Sequence, residues 1–222
     1  AGPYTYYLEG KRSSISSFLE GGTHSSTGYA IAKFYNEKEF SDTHGVGTLD
    51  AIIFRYAEVL LIRAEAGAEL GKDPGLDLTV NALRKRVGFN VKLTSSPATD
   101  PKLVAKHPII KGTNADLIRE IRRERRVELF GEGLRYADLM RWGCGERLVA
   151  PKAGMMLYTD VYTPEEIAVL KTEVGTYADG SLDVYGKRVT TPAIFESPKH
   201  YLFSLPLNEM ALNPKLKPNN PG

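Results

Sequence analysis

Between Asp50 and Leu70 the apolar positions recur at helical spacing in a stretch rich in Ala, Leu, Glu and Arg, with Asp50 placed to cap the start and Gly71 to close the end. After the turn Lys72-Asp73-Pro74-Gly75, a second helix is predicted from Leu76 to Val87, closed by Gly88. The pair is about as long as a tetratricopeptide unit, roughly 34 residues. Residues 89–112, with three prolines and a Thr-Ser-Ser cluster, read as a loop. Asn114 or Thr113 then caps a third helix running to Phe130, and a fourth follows from Gly133 to Trp142. Beyond Gly143 the pattern weakens, except at Thr163-Pro164-Glu165-Glu166, where a capping residue, a proline at the first helical position and a capping-box Glu open a short helix. Residues 1–49 carry SSISS, GGTHSSTG and SDTHGVG around short apolar pieces and read as loops with a strand or two. The fold class that follows is mainly α, built of helical hairpins with long irregular loops. A loop-rich segment 1–49 precedes a helical domain over 50–222.

Charge interrupts the apolar stripes. At 100° per residue, Phe54, Leu61 and Ala68 share a face of the first helix, and Glu58 and Glu65 fall within it. On the third helix Arg125 lies at the centre of the stripe made by Ile118, Ile121 and Leu129, with Glu128 and Glu132 at its edge. An unpaired buried charge costs several kcal/mol, so such positions demand partners. A glycosidase-like carboxylate pair stands roughly 5–9.5 Å apart across a cleft. Glu58 and Glu65 are separated by about 10.5 Å of helical rise and face a packed neighbour. The expectation is instead an inter-helix ion-pair network, in which Glu58 or Glu65 meets Arg84, Arg86 or Arg125, with Glu128 taking part. The basic run Arg119, Arg122, Arg123, Arg125 and Arg126 is interleaved with Glu120, Glu124 and Glu128, which favours neutralisation along the helix over phosphate binding. Trp142, the only tryptophan, sits at helical spacing from Asp138 and Leu139 and reads as packing.

The chain has 222 residues, 42% hydrophobic and 25% charged, enough for a sizeable core. Its 29 Lys and Arg nearly balance 27 Asp and Glu, which removes the electrostatic argument for a nucleic-acid partner. Cys144 is the only cysteine, and His24, His44, His107 and His200 lie too far apart in sequence for a local metal motif, so no metal or cofactor is expected. No phosphate loop, HExxH, GxSxG or Cys/His pair is present, and no catalysis is expected. The most apolar stretch, 51–62, is broken by Arg55 and Glu58, and the first residues show no signal-peptide pattern. The polar, Tyr-rich opening reads as a piece of a longer protein. Tyr4, Tyr6, Tyr7 and Tyr29 fall in segments read as loops, as do Tyr158, Tyr162, Tyr177 and Tyr185. Rings on loops suit stacking on sugars or peptides. Alternation at Tyr4 and Tyr6 would place both rings on one side of an extended stretch. Tyr4, Tyr6, Tyr7 and Tyr29 are therefore the candidate ligand residues, against the competing reading that they only cover the helices.

Four stretches together resemble the C-terminal half of the SusD/RagB family of outer-membrane nutrient-binding lipoproteins. Arg55 to Leu61, followed by Ala64-Glu65, is similar to the family's tetratricopeptide-like helix, and Asn81 to Gly88 to its partner. Ile121 to Trp142 resembles the family's I-x-x-E-R-x-x-E-L-x-x-E-G-x-R-x-x-D-L-x-R-W, matched in order by Glu124-Arg125, Glu128-Leu129, Glu132-Gly133, Arg135, Asp138-Leu139 and Arg141-Trp142. Tyr201 to Gly222 is similar to the terminal Y-L-x-P-I-P-x-x-E-x-x-x-N-P-x-L-x-Q-N-P-G, with Ser204 where proline is usual and Asn219 where Gln is common. The resemblance implies tetratricopeptide-like hairpins forming an α-α superhelix and a non-catalytic, surface-exposed binder of an oligosaccharide. Less often in the family the ligand is a peptide. It also implies a TonB-dependent transporter barrel as partner, a lipid anchor in the full-length parent, and an N-terminal half against which this half packs. Cys144, in mid-chain, does not match the family's lipidated cysteine. The alternative is a scaffold half that only docks the transporter and the rest of its own chain.

Overall fold

The computed structural model describes residues 27, 29, 33, 52–157, 163–185, 191, 193–213, 215 and 216. Among these the chain is mainly α-helical. The helices are α1 (Tyr56–Glu69), α2 (Val80–Arg86), α3 (Pro101–Lys106), α4 (Ala115–Glu128), α5 (Arg135–Arg141), α6 (Pro164–Glu173) and α7 (Leu207–Leu212); the strands are β1 (Ala153–Met156) and β2 (Ser181–Asp183). The chain divides into two compact units, one of residues 43–148 with 195–222 and one of 1–42 with 149–194. The division expected between 49 and 50 falls on chain outside the described residues.

In the first unit α1 packs mainly on α4. Leu60, Leu61, Ala64 and Ala68 of α1 meet Leu117, Ile118 and Ile121 of α4, with Val80 and Leu83 of α2 and Leu93 of the following chain completing the core. The C-terminus of α1 is a Schellman motif. Lys72 N donates to Gly67 O at 2.8 Å and Gly71 N to Ala68 O, which the positive φ of Gly71 permits. The end of α5 repeats it around Gly143, with Cys144 N donating to Leu139 O at 2.9 Å. Asn81 acts as a clamp on chain that makes no regular structure: its amide accepts from Leu93 N at 2.8 Å and donates to Leu93 O at 3.1 Å.

Between residues 50 and 112 the elements depart from the sequence expectation in three places. α1 begins at Tyr56 and not after Asp50, because Arg55 is extended (φ −145°, ψ 161°) and its guanidinium is tied to Glu128 and Glu132. Phe54, expected on the buried face, lies before the helix and is 77% exposed. Within the stretch read as loop, Pro101–Lys106 is a helix, capped by Asp100, whose carboxylate accepts from Lys102 N at 2.8 Å. α2 is also shorter than expected, residues 76–79 forming turns before Val80.

In the second unit β1 and β2 pair antiparallel, with Ala153 opposite Asp183 and Met156 opposite Ser181. Thr27 O accepts from Met155 N at 2.9 Å. α6 opens on the expected capping box: Thr163 Oγ1 accepts from Glu166 N at 3.2 Å and Glu166 Oε2 accepts from Thr163 N at 2.9 Å. Leu170, Val174 and Leu182 form the core here, with Met155 and Leu157 against it.

Candidate functional site

The richest constellation lies where α1, α4 and α5 converge, around a groove of about 630 Å³ lined by Glu58, Ile62, Glu65, Arg122, Asp138 and Trp142, among others. Its centre is Glu65, whose side chain is 6% exposed. Glu65 Oε1 accepts from Arg122 Nε at 3.0 Å, Arg141 Nη1 at 3.1 Å and Trp142 Nε1 at 2.6 Å, while Oε2 accepts from Arg141 Nη2 at 2.8 Å. Burial works to raise the Glu65 pKa. The hydrogen bond and charge of Arg141, with Arg122 and Trp142, outweigh it and hold the carboxyl below its ordinary value. Glu65 is thereby an ionised anchor with both oxygens engaged.

The arginines around it are shared. Arg122 also reaches Glu69 at 2.9 Å and lies 4.6 Å over the Trp142 ring; Arg141 lies 4.7 Å over the same ring and 3.2 Å from Asp138. Trp142 thus packs against guanidiniums, with its N–H donated and His107 edge-on at 5.6 Å, which makes it buried packing. One turn before α4 ends, Arg125 donates from Nε to both oxygens of Asp138 at 2.9 Å and sits 3.5 Å from Glu58.

Of the expected network, the structure brings Glu58 to Arg125. Glu65 has neither Arg84, Arg86 nor Arg125 within its bonds; Arg84 instead pairs with Glu124 at 2.7 Å and Arg86 with Glu128 at 2.7 Å. Arg55 bridges Glu132, Nε donating to Oε2 at 2.9 Å, and Glu128. Arg122, Arg141, Asp138 and the Trp142 indole N–H were not singled out from the sequence as partners of this network. The spacing in Arg141-Trp142, adjacent residues that reach one carboxylate from a short helix, is the signal that could have found two of them. The stretch 121–142 therefore places most of its charged residues in pairs, and these lock α1, α2, α4 and α5 together.

Among the candidate ligand residues, Tyr4, Tyr6 and Tyr7 lie outside the described residues. Tyr29 is 60% exposed in the strand-bearing unit, two residues from the Thr27 carbonyl that binds β1. Tyr177 is tied down, its hydroxyl donating to Asp183 at 2.9 Å, whereas Tyr185, just after β2, is half exposed. Among the described residues no group of three His, Cys, Asp or Glu could hold a metal ion, and no helix is long and apolar enough to cross a membrane.

Comparison with known proteins bears on this arrangement. The sequence model described as the SusD family matches residues 10–222. Among solved structures, a SusD-like carbohydrate binding protein from Bacteroides fragilis NCTC 9343 superposes with a TM-score of 0.61 at 29% identity, over 87% of this chain and 34% of that one. The chain thus spans about a third of the length of that protein. No curated protein matches it.

Proposed function

The chain belongs to the SusD family, and on that premise we propose that it is part of a non-catalytic, surface-exposed outer-membrane protein that binds a glycan for uptake through a TonB-dependent transporter. The observation that supports the reading most is the likeness, at 29% identity over most of this chain, to a protein that binds carbohydrate. A binding role also agrees with the chemistry of the groove. Its carboxylate Glu65 is committed to two arginines and an indole and has no proton to give. The ion-paired helices then serve as scaffold, and the sugar contacts fall to exposed rings, for which we propose Tyr4, Tyr6, Tyr7 and Tyr29 in the ligand-proximal segment 1–49.

Titration calorimetry of the full-length protein against a panel of neutral and acidic oligosaccharides and peptides tests this reading. The expected outcome is binding of at least one oligosaccharide without turnover, weakened in a Tyr4→Ala/Tyr6→Ala/Tyr29→Ala variant that keeps its melting temperature. Affinity for none of the sugars, or hydrolysis lost with one named carboxylate, would remove it.

One observation favours the scaffold alternative. α1 is apolar on its outward side as well, with Tyr56, Val59 and Ile62 at least half exposed and Ile53 and Phe54 exposed just before it. A face of that kind marks an interaction surface, and on this reading it is covered by the remainder of the family chain or by the transporter. Retained glycan affinity together with lost transporter co-purification in a Val59→Asp/Ile62→Asp variant would assign the face to the transporter.

A further inference from the structure

The groove where α1, α4 and α5 converge carries one acid more than its bases. Glu58, Glu65, Glu69 and Asp138 line it, against Arg122, Arg125 and Arg141. The pairing shows which acid is left over. Glu65 meets Arg122 at 3.0 Å and Arg141 at 2.8 Å, Glu69 meets Arg122 at 2.9 Å, and Asp138 holds Arg125 at 2.9 Å and Arg141 at 3.2 Å. Glu58 has only Arg125, whose Nη2 stands 3.5 Å from Oε1 without a hydrogen bond; its Oε2 has no partner among the described residues. With its side chain 18% exposed, Glu58 is largely withdrawn from water and yet short of donors, an arrangement that favours an incoming cation.

The walls decide the shape of that cation. Glu58, Ile62 and Ala66 follow one another at intervals of about one turn on the same face of α1, and all three line the groove. Ala66 of α1 and Ala137 of α5 are both exposed, and their small side chains keep the groove open. Ile62 belongs also to the outward apolar face of α1, half exposed beside Val59, so whatever covers that face reaches the groove. A side chain with an apolar stem and a positive tip fits: methylenes against Ile62, Ala66 and Ala137, charge at Glu58. Lysine has that form. A guanidinium fork matches both oxygens of a carboxylate, whereas an ammonium needs one, and here Oε1 faces Arg125 while Oε2 is open.

The source of the lysine follows from the face it accompanies. Ile53, Phe54, Tyr56, Val59 and Ile62 are each at least half exposed, and a patch of that kind calls for a standing cover. A segment of the same polypeptide supplies one without the entropy cost of association. The solved relative is long enough to do so, since this chain matches 34% of it. We propose that a lysine from the rest of the family chain enters this groove and sets its ammonium on Glu58, fastening the apolar cover of α1 in one register. The statement rests on the reading of this chain as part of a longer protein; it does not depend on the glycan.

Carbodiimide coupling reads this contact directly, because it joins a carboxylate to an ammonium touching it and leaves guanidiniums such as Arg125 unchanged. Applied to the full-length protein in its own outer membrane, it should link Glu58 to a lysine of the same chain outside these 222 residues. Mass spectrometry should place that lysine in a segment with apolar residues beside it. Glu58→Gln should abolish the linkage; Arg125 keeps its bonds to Asp138, so this variant should fold. Ala66→Phe, which fills the groove from an exposed position and spares the carboxylate, should abolish it too. Glu58→Gln and replacement of the linked lysine by Met should each lower the melting temperature, and the double variant should fall no further than the worse single one. Glu58 left unlinked in a longer chain, a linkage that survives Ala66→Phe, or fully additive losses overturn the proposal. Linkage to a lysine of the transporter gives the face to that partner and overturns it equally. A native protein no longer than these residues would instead remove the reading beneath it.

Discussion

In the helical unit Glu65, Arg84, Arg122, Arg125 and Asp138 are buried beside Leu61 and Ile121, whereas in the strand-bearing unit the buried set around Leu170, Val174 and Leu182 is apolar but for Ser181, among the described residues. The two units are thus held by different forces. Dispersion and water exclusion in the smaller core are non-directional and tolerate swaps of similar volume. The buried ion pairs are directional. Each one ties a particular turn of one helix to a particular turn of another, as Arg125 does for α4 and α5, so a single loss strands a charge in the interior. The stretch by which the chain resembles its family, 121–142, lies wholly in the unit built this way.

Mutation should separate the two designs, and the largest effect is expected at Glu65. Glu65→Ala leaves Arg122, Arg141 and the Trp142 N–H without their shared acceptor and should cost about 3–5 kcal/mol, read from urea denaturation followed by circular dichroism. Leu170→Ala, which opens a cavity in the apolar core, should cost about 2–4 kcal/mol and raise hydrogen exchange through 164–174. If Leu170→Ala proved the costlier of the two, the contrast between the units would fall.

Acid should act on the helical unit through two groups. Burial, with the charges of Arg122 and Arg135 behind it, pushes His107 down to about 4, below its ordinary value, so the unfolded chain takes up the proton first. Stability should therefore decline as pH drops from about 6.5 toward about 4, and His107→Gln should flatten that part of a melting-temperature profile. Glu65, whose folded value is depressed, contributes above the ordinary carboxylate range and loses its contribution as pH falls through its lowered value. Smaller still, Thr163→Ala removes the cap of α6 and should cost about 1 kcal/mol. The Arg86 side chain is 54% exposed, so Arg86→Ala, which breaks its pair with Glu128, should cost under about 1 kcal/mol, with the loss shrinking in high salt.

What could be read from the chain alone divides along physical lines. Local signals served well: the capping box at Thr163, the glycine stop at Gly71 and the stripe of Ile118, Ile121 and Leu129 depend on neighbours within a few residues. The Asp100-Pro101 start of α3 was equally local and lay unread inside a proline-rich stretch. The start of α1 was not legible, because Arg55 is kept extended by acids 73 and 77 residues away. The same holds for the candidate site. That Glu58 and Glu65 needed partners followed from periodicity, but which arginines meet Glu65 is decided by the crossing of α1 with α4 and α5, which no spacing encodes. Tyr29, a candidate because it falls in a segment read as loop, is exposed.

The seating of Trp142 makes this chain its own optical gauge. The chain has a single indole, and it is lodged among Glu65, Arg122 and Arg141. Its emission therefore reports one locality free of any competing fluorophore of its kind. Charges so near the ring set the energy of the excited state, and displacing any of them, or admitting water, changes colour and intensity together. An acid pulse or a helix swung away from α1 could thus be timed in unlabelled material, with the light coming from the point where the helices are joined.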